Sequence, residues 1–288
     1  MFNHILYSFG RFLALNLPLK LAYKIALCIS DLHYLFAAAD RKATGDNLKA
    51  IFPDKTDSEI KKLRIGIFRN FAKYLVDFFR FSKIDTGYIE NNIKIEHIDY
   101  IDQVLARGKG AIIVTAHLGN WELGGAVIAL MGYPFWAVAL PHKYKKVDDF
   151  FRSQREAKGV KVIPLGKAVR QSLEVLKNNK ALALVGDRDF SEKGLVLDFF
   201  GKPSIFPQGP AALALKTGAT IVTGFMLRNK DDSFILRFEK PLDFAPTGNK
   251  DKDLISLTKQ YKEIFEGYIR KYPDQWYVFR KFWKNNSS

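Results

Sequence analysis

The chain has 288 residues, 48% hydrophobic and 14% aromatic. That supplies enough apolar material for one large α/β domain, with or without a small appendage, and excludes a disordered chain. Lys and Arg number 45 against 30 Asp and Glu, a formal charge of +15, so an anionic partner is expected: nucleic acid, an anionic membrane surface, or an acidic carrier or substrate. The 24 Phe residues set among these cations favour a water–lipid interface over a groove for a phosphate backbone. Cys28 is the single cysteine, so neither an intrachain disulfide nor a cysteine-built zinc site is expected, which fits a reducing compartment. His4, His33, His97, His117 and His142 lack His-Glu-x-x-His spacing, and no structural metal is expected.

In chain order, residues 2–39 are strongly apolar, but Arg11, Lys20, Lys24, Asp31 and Pro18 interrupt them. No uncharged run reaches the roughly 20 residues of a spanning helix. Ala37-Ala-Ala39 resembles a signal-cleavage site, although charge breaks the apolar stretch before it. Lys20 and Lys24 share a helical face, with Leu17, Leu21, Ala22 and Ile25 nearby. This predicts a membrane-associated helical anchor with basic flanks over residues 1–39, dipping into the bilayer rather than crossing it; a core helical hairpin is the alternative. Residues 40–84 read as helical. Pro53 closes one segment, and Thr56 or Ser58 opens the next as N-cap of a capping box. Ile60, Leu63, Ile67, Phe68, Phe71, Leu75, Phe78 and Phe79 then recur at helical spacing, as a core-facing stripe.

From about residue 93 the pattern changes. Ala111-Ile-Ile-Val-Thr-Ala116, Ala181-Leu-Ala-Leu-Val185 and Ala219-Thr-Ile-Val-Thr223 read as buried strands, the first two preceded by helices over 101–107 and 167–178. Such alternation predicts an α/β fold with a central, mostly parallel sheet flanked by helices. Ser233-Phe-Ile-Leu-Arg-Phe238 alternates more openly and reads as an exposed or edge strand, and 253–272 reads as a helix. No Ser- or Gly-rich linker divides residues 40–288, which are therefore expected to form one catalytic domain behind the anchor.

The first buried strand runs into His117-Leu-Gly-Asn-Trp-Glu-Leu-Gly-Gly125. In open α/β sheets, reactive groups gather at the carboxyl ends of strands. His117 and Glu122 are five apart and would not meet on a regular helix. If Gly119 bends the chain and Asn120 caps a helix beginning at Trp121, Glu122 is expected to reach back to the imidazole. A carboxylate there fixes the tautomer and leaves the other nitrogen to take a proton from a substrate hydroxyl. The helix N-terminus offers N–H groups to an oxyanion or phosphate. Neither a Gly-x-Ser-x-Gly elbow nor a reactive cysteine accompanies the pair, so a substrate hydroxyl is expected to attack directly. A capped turn in which His117 only satisfies backbone groups is the alternative.

This stretch resembles the His-x-x-x-x-Asp/Glu block of the glycerolipid acyltransferase superfamily, and most closely its bacterial lipid A biosynthesis (lauroyl/myristoyl) branch, to which phosphatidylinositol mannoside acyltransferases belong. Residues 16–36, 47–60, 187–222 and 272–284 resemble further segments of that branch, in the same order. The resemblance implies a glycerol-3-phosphate acyltransferase-like fold. It also implies that His117 is the general base on an acceptor hydroxyl and that Glu122 orients it. The acyl donor would be a thioester of acyl carrier protein or coenzyme A, used as co-substrate with no further cofactor. Arg155 looks like the family arginine that holds a phosphate or polarises the thioester carbonyl, with Arg152 one turn before it. Substrate-binding roles are further expected of Asn120, of Asp187, Arg188 and Asp189 after the second buried strand, and of Gly209, which opens a helix at Gly209-Pro210. A structural ion pair at the strand end is the alternative for residues 187–189, and a solvated helix face for Arg152 and Arg155. Leu140-Pro141 stands where the family often carries Arg-Pro, and Tyr277-Val-Phe-Arg280 where it tends to carry aromatic, His and Arg residues.

The expected function is a membrane-associated O-acyltransferase at the cytoplasmic face of the bacterial inner membrane, acting on a glycolipid acceptor, foremost a lipid A precursor. Anionic membrane lipids are expected partners; nucleic acid is not. A phosphatidylinositol mannoside or lysophospholipid acceptor with an acyl-CoA donor is the alternative within the class. Outside it stand a basic membrane-binding protein without catalysis and a hydrolase lacking its own nucleophile.

Overall fold

The computed structural model describes residues 2–189 and 194–283. Four helices come first: α1 (Phe2–Asn16), α2 (Leu19–Phe36), α3 (Ala38–Ile51) and α4 (Asp57–Phe79). Pro18 separates α1 from α2, since it has no N–H to continue the ladder. Thr56 opens α4 through the expected capping box: its hydroxyl accepts the Glu59 N–H at 3.3 Å while Glu59 accepts the Thr56 N–H at 2.8 Å.

Next come α5 (Thr86–Asn92), β1 (Ile93–Glu96), α6 (Asp99–Leu105), β2 (Ala111–Thr115), α7 (Trp121–Leu130) and β3 (Phe135–Ala139). They are followed by α8 (Lys145–Glu156), β4 (Lys161–Pro164), α9 (Ala168–Lys177) and β5 (Ala181–Val185). A hairpin of β6 (Leu195–Phe199) and β7 (Lys202–Phe206) interrupts the alternation before α10 (Gly209–Thr217), β8 (Thr220–Arg228), β9 (Phe234–Phe238) and α11 (Lys250–Lys271). Seven strands form one sheet in the order β1-β9-β8-β2-β5-β3-β4, parallel throughout except for β8 against β9. β6 and β7 pair antiparallel as a separate ribbon.

β2 is covered on both faces, which is why its residues read as one continuous apolar run. Leu123, Ala126 and Val127 of α7 belong to one buried cluster, and Tyr261, Phe265 and Ile269 of α11 to the other. The three long apolar runs, the α4 stripe and the terminal helix all stand where the sequence placed them. The expected edge position of residues 233–238 does not hold. β1 lies outside β9, and Phe234, Leu236 and Phe238 are all buried. The alternation in β9 reflects one fully covered face, and an interior strand can show it as well as an edge strand. β1 (Ile-Lys-Ile-Glu) and β4 are four residues long and carry Lys or Glu, so neither has a periodic signal long enough to read.

Among the described residues no single helix is long and apolar enough to cross a membrane, but α2 and α3 pass that test together, bent by 92° at their junction. α2 is not a loose appendage. Ala22 and Tyr23 share a buried cluster with residues of the sheet, and α2 packs along α4. A buried polar knot locks it down. Asp77 of α4 accepts hydrogen bonds from the Tyr23 hydroxyl, from Arg228 at the end of β8, and from Asn120 Nδ2 at 2.9 Å. Arg228 also donates to the Tyr23 oxygen at 3.1 Å. Removing one member strands the other charge without solvent. Asp77→Ala is therefore expected to cost about 3–5 kcal/mol in urea unfolding; a loss below about 1 kcal/mol, the level of an exposed pair, would contradict this account.

Candidate active site

Thr115 and Val185 pair across the adjacent parallel strands β2 and β5, and the Gly186 N–H donates to Thr115 O at 2.8 Å just beyond. Two residues past each partner come His117 and Asp187. Equal offsets from one register pair deliver the two side chains to the same point at the carboxyl edge of the sheet. His117 Nδ1 lies 2.6 Å from Asp187 Oδ1, and the His117 backbone N–H donates to Oδ2 at 3.1 Å. The Trp276 indole N–H donates to the same Oδ2 at 3.0 Å. Asp187 is fully buried, and burial alone pushes its carboxyl up; His117, the neighbouring Arg188 and the Trp276 donor outweigh that and hold it well below the usual carboxylate range. An ionised carboxylate only accepts. Nδ1 therefore carries a proton, and in the neutral imidazole Nε2 is the lone-pair nitrogen.

The turn after His117 is fixed from both sides. Gly119 has φ of +66°, and a Cβ there would stand 2.0 Å from the Met226 carbonyl oxygen of β8. Its N–H donates to Gln275 O at 2.9 Å, the Asn120 N–H to Met226 O at 2.7 Å, and the Tyr277 N–H to His117 O at 2.8 Å. Asn120 caps α7 as expected, accepting the Leu123 N–H at 3.1 Å, while its amide reaches Asp77. One side chain thus joins the turn after His117 to the buried knot under α2.

The expected reach of Glu122 to His117 is not what the structure contains. Glu122 lies in the first turn of α7, where Arg155 of α8 takes both its oxygens, Nε to Oε2 at 2.8 Å and Nη2 to Oε1 at 2.6 Å. The pair is nearly buried, and Glu122 raises Arg155 further above its ordinary range despite the opposing effect of burial. The imidazole partner is Asp187, which sequence reasoning placed at the site edge but assigned to substrate. Arg155 therefore meets a carboxylate of the protein itself. Arg152 sits on the exposed face of α8, paired with Asp149 at 2.9 Å, and is not brought to His117. Arg188 donates to the Tyr277 carbonyl, while its Nε is buried with no hydrogen-bond partner among the described residues. Asp189 follows, half-buried; residues 190–193 of the block resembling the family's second segment, and Lys284 of the last one, lie outside the described residues. Gly209 opens α10, which runs back toward the amino end of β8, so its N-terminus lies toward the carboxyl edge.

Trp276 was missed as a site residue, although it sits in the block Tyr272-Pro-Asp-Gln-Trp276 that resembles the family. Two aromatic rings were also missed. Trp121 meets the His117 ring edge-on at 5.1 Å and stacks on Tyr74 of α4 at 4.8 Å, and Tyr74 in turn stacks on Phe71 at 5.5 Å.

The chain is a lipid acyltransferase. Residues 2–285 match the family described as bacterial lipid A biosynthesis acyltransferase, and the chain belongs to that family. It is 29% identical over 218 residues to the phosphatidylinositol mannoside acyltransferase of Mycolicibacterium smegmatis, covering 74% of this chain and 70% of that protein. With the phosphatidylinositol mannoside acyltransferase of Mycobacterium tuberculosis it is 28% identical over 221 residues, 74% of this chain and 68% of that one. With the lipid A biosynthesis palmitoleoyltransferase of Escherichia coli it is 24% identical over 240 residues, 82% of this chain and 76% of that one.

The clamp on the turn gives a paired test. Gly132 also has positive φ, but a Cβ there would meet open space. Gly132→Ala should cost only the left-handed strain of about 1–2 kcal/mol, whereas Gly119→Ala must also displace the β8 backbone and should cost clearly more. Equal unfolding midpoints for the two variants would contradict the clamp.

Proposed function

We propose that this protein moves a fatty acyl chain from a thioester of acyl carrier protein or coenzyme A to a hydroxyl of a bacterial glycolipid, with His117 as general base and Asp187 as the residue that orients it. The observation carrying this reading is His117 with Nδ1 held by the Asp187 carboxylate, with no serine or cysteine hydrogen-bonded to the imidazole among the described residues. The acceptor hydroxyl gives its proton to Nε2 as its oxygen attacks the thioester carbonyl carbon. The tetrahedral oxyanion collapses, the C–S bond breaks, and the thiolate takes the proton back from the imidazolium. An ester and a free thiol result, with the enzyme unchanged and no acyl-enzyme formed. N–H groups at the start of α7 and the guanidinium of Arg188 are the proposed electrostatic partners of the oxyanion or of an acceptor phosphate. Glu122 and Arg155 form the wall that fixes α8 against α7, a positioning role.

Membership of the lipid A family favours a lipid A precursor as acceptor; the higher identity to the mannoside enzymes favours a phosphatidylinositol mannoside. Both present a sugar hydroxyl on an anionic lipid, which the charge of +15 suits. The proposed reaction runs at the cytoplasmic face of the inner membrane, with residues 1–39 as the proposed anchor. Phe9, Phe12, Ile29, Leu32, Leu35 and Phe36 are all exposed there. An apolar cavity of about 450 Å³ lies between α1, α2 and α4, with Leu13, Ala26, Ala72 and Leu75 in its walls. Its volume suits an alkyl chain. Phe71 in its lining begins the row of rings that ends at His117, so the cavity is the proposed acyl site.

Four results test this. In a lipid mass spectrum of cells lacking the protein, one glycolipid should lose one acyl chain, which wild type restores and His117→Ala does not; full rescue by His117→Ala points to a binding protein. With purified enzyme, Asp187→Asn should lower kcat by roughly 10²–10⁴-fold, the range for lost acid–base assistance, and Glu122→Gln by much less. A larger kcat loss in Glu122→Gln would reverse the two assignments. Ala26→Phe should shift donor preference toward shorter chains; unchanged preference would move the acyl site elsewhere. Free fatty acid as sole product with acceptor present would identify a hydrolase.

A further inference from the structure

At the far end of the sheet, β3 and β4 pair with Ala139 opposite Pro164. Leu140 and Leu165 each follow by one residue, so they leave the sheet side by side at the same carboxyl edge that carries His117. The segment after β3, residues 140–146, is exposed throughout. Within it the His142 N–H donates to Asp148 in the first turn of α8 at 2.8 Å. After β4 the chain enters α9 through Leu165, Gly166 and Lys167. Between them the two segments expose four large apolar side chains: Leu140 at 52%, Tyr144 at 52%, Leu165 at 42% and Val169 at 74%. Cations are set among them. Lys143, Lys146, Lys167 and Arg170 are exposed and make no ion pair among the described residues, and Lys143 lies over the Tyr144 ring at 5.9 Å.

We infer that this rim is a second lipid-contacting surface, which inserts its apolar side chains into the headgroup region of an anionic bilayer and so presses the carboxyl edge of the sheet onto the membrane. Cations without acidic partners, interleaved with exposed aliphatic and aromatic side chains, suit an anionic lipid surface. An acidic protein partner would use the charges but gain little from the aliphatic side chains. The rim is also tied through α8 to the amino-terminal helices. Tyr7 of α1 packs on Phe150 and Phe151 of α8 at 6.4 and 5.7 Å, and Arg11 lies over Phe150 at 5.7 Å. α8 therefore joins the rim to the helix that exposes Phe9 and Phe12. Two contacts, one on the amino-terminal helices and one beyond β3 and β4, fix an orientation that a single anchor leaves free. The inference rests on the acyl-transfer reading only for its purpose, a site pressed to the lipid that holds its acceptor.

The test uses the full chain with its native cysteine removed, Cys28→Ser, and an environment-sensitive dye at Leu140→Cys, at Val169→Cys, or at Asn178→Cys. The last is exposed at the opposite, amino edge of the sheet. With phosphatidylcholine vesicles containing phosphatidylglycerol, the dyes at 140 and 169 should shift to the blue and escape iodide quenching, while the dye at 178 does not. Lys143→Glu, Lys167→Glu and Arg170→Glu together should abolish the shift at 140 while the amino-terminal helices still hold the protein on the vesicles. Dyes at 140 and 169 that stay in water on vesicle-bound protein would overturn the inference, as would a shift seen only on adding acyl carrier protein. Acyl transfer measured on the same samples separates the two claims: transfer with the dyes in water sinks the rim alone, and immersed dyes without transfer by wild type sink the acyl-transfer reading alone.

Discussion

The site depends on one buried carboxylate. Asp187 accepts from the His117 ring, from the His117 backbone and from the Trp276 indole, three donors supplied by two distant parts of the chain. A fully buried anion is tolerable only when such donors replace its lost water. Fold and site therefore need each other: strand β5 delivers the carboxylate, strand β2 the histidine, and the carboxyl-terminal segment the indole. The same segment grips the turn through Gln275 and Tyr277, and Leu118 bridges to Trp276. The last part of the chain is thus the lock on the turn that follows the first buried strand.

A second buried polar cluster extends the constraint to the amino-terminal helices. Asp77 joins Tyr23 of α2 to Asn120 of the turn after His117 through one carboxylate, with Arg228 completing the knot. The helix that carries exposed Ile29, Leu32 and Leu35 is rigidly tied to the turn that carries His117. In the proposed function this tie sets the height of the histidine above the lipid surface. It also accounts for buried polar groups where a purely apolar packing would have been simpler.

Much of the fold was legible in the residues. β2, β5 and β8 announce themselves as continuous apolar runs, the Thr56 capping box opens α4 where the sequence said, and Asn120 caps α7. The partnership at the site was not legible, for a definite physical reason. Glu122 is five residues from His117, and sequence proximity made it the natural orienting carboxylate. What decides the matter is that β2 and β5 are neighbours in register, which places residues 117 and 187 at equal offsets beyond Thr115 and Val185. Strand order is a property of the assembled sheet, and no local pattern encodes it. Glu122 instead meets Arg155, which the placement of α8 brings to it, also invisible along the chain. Trp276 had a signal, its place in a block resembling the family, but its hydrogen bond to Asp187 required the fold.

The most direct test of this account observes the imidazole itself. Proton NMR of the protein with ¹⁵N-labelled histidine should show an exchange-protected, downfield Nδ1–H resonance that disappears in His117→Ala. Asp187→Ala should abolish this signal and Glu122→Gln should leave it in place. A signal that survives Asp187→Ala and vanishes in Glu122→Gln would restore Glu122 as the partner and contradict the site described above.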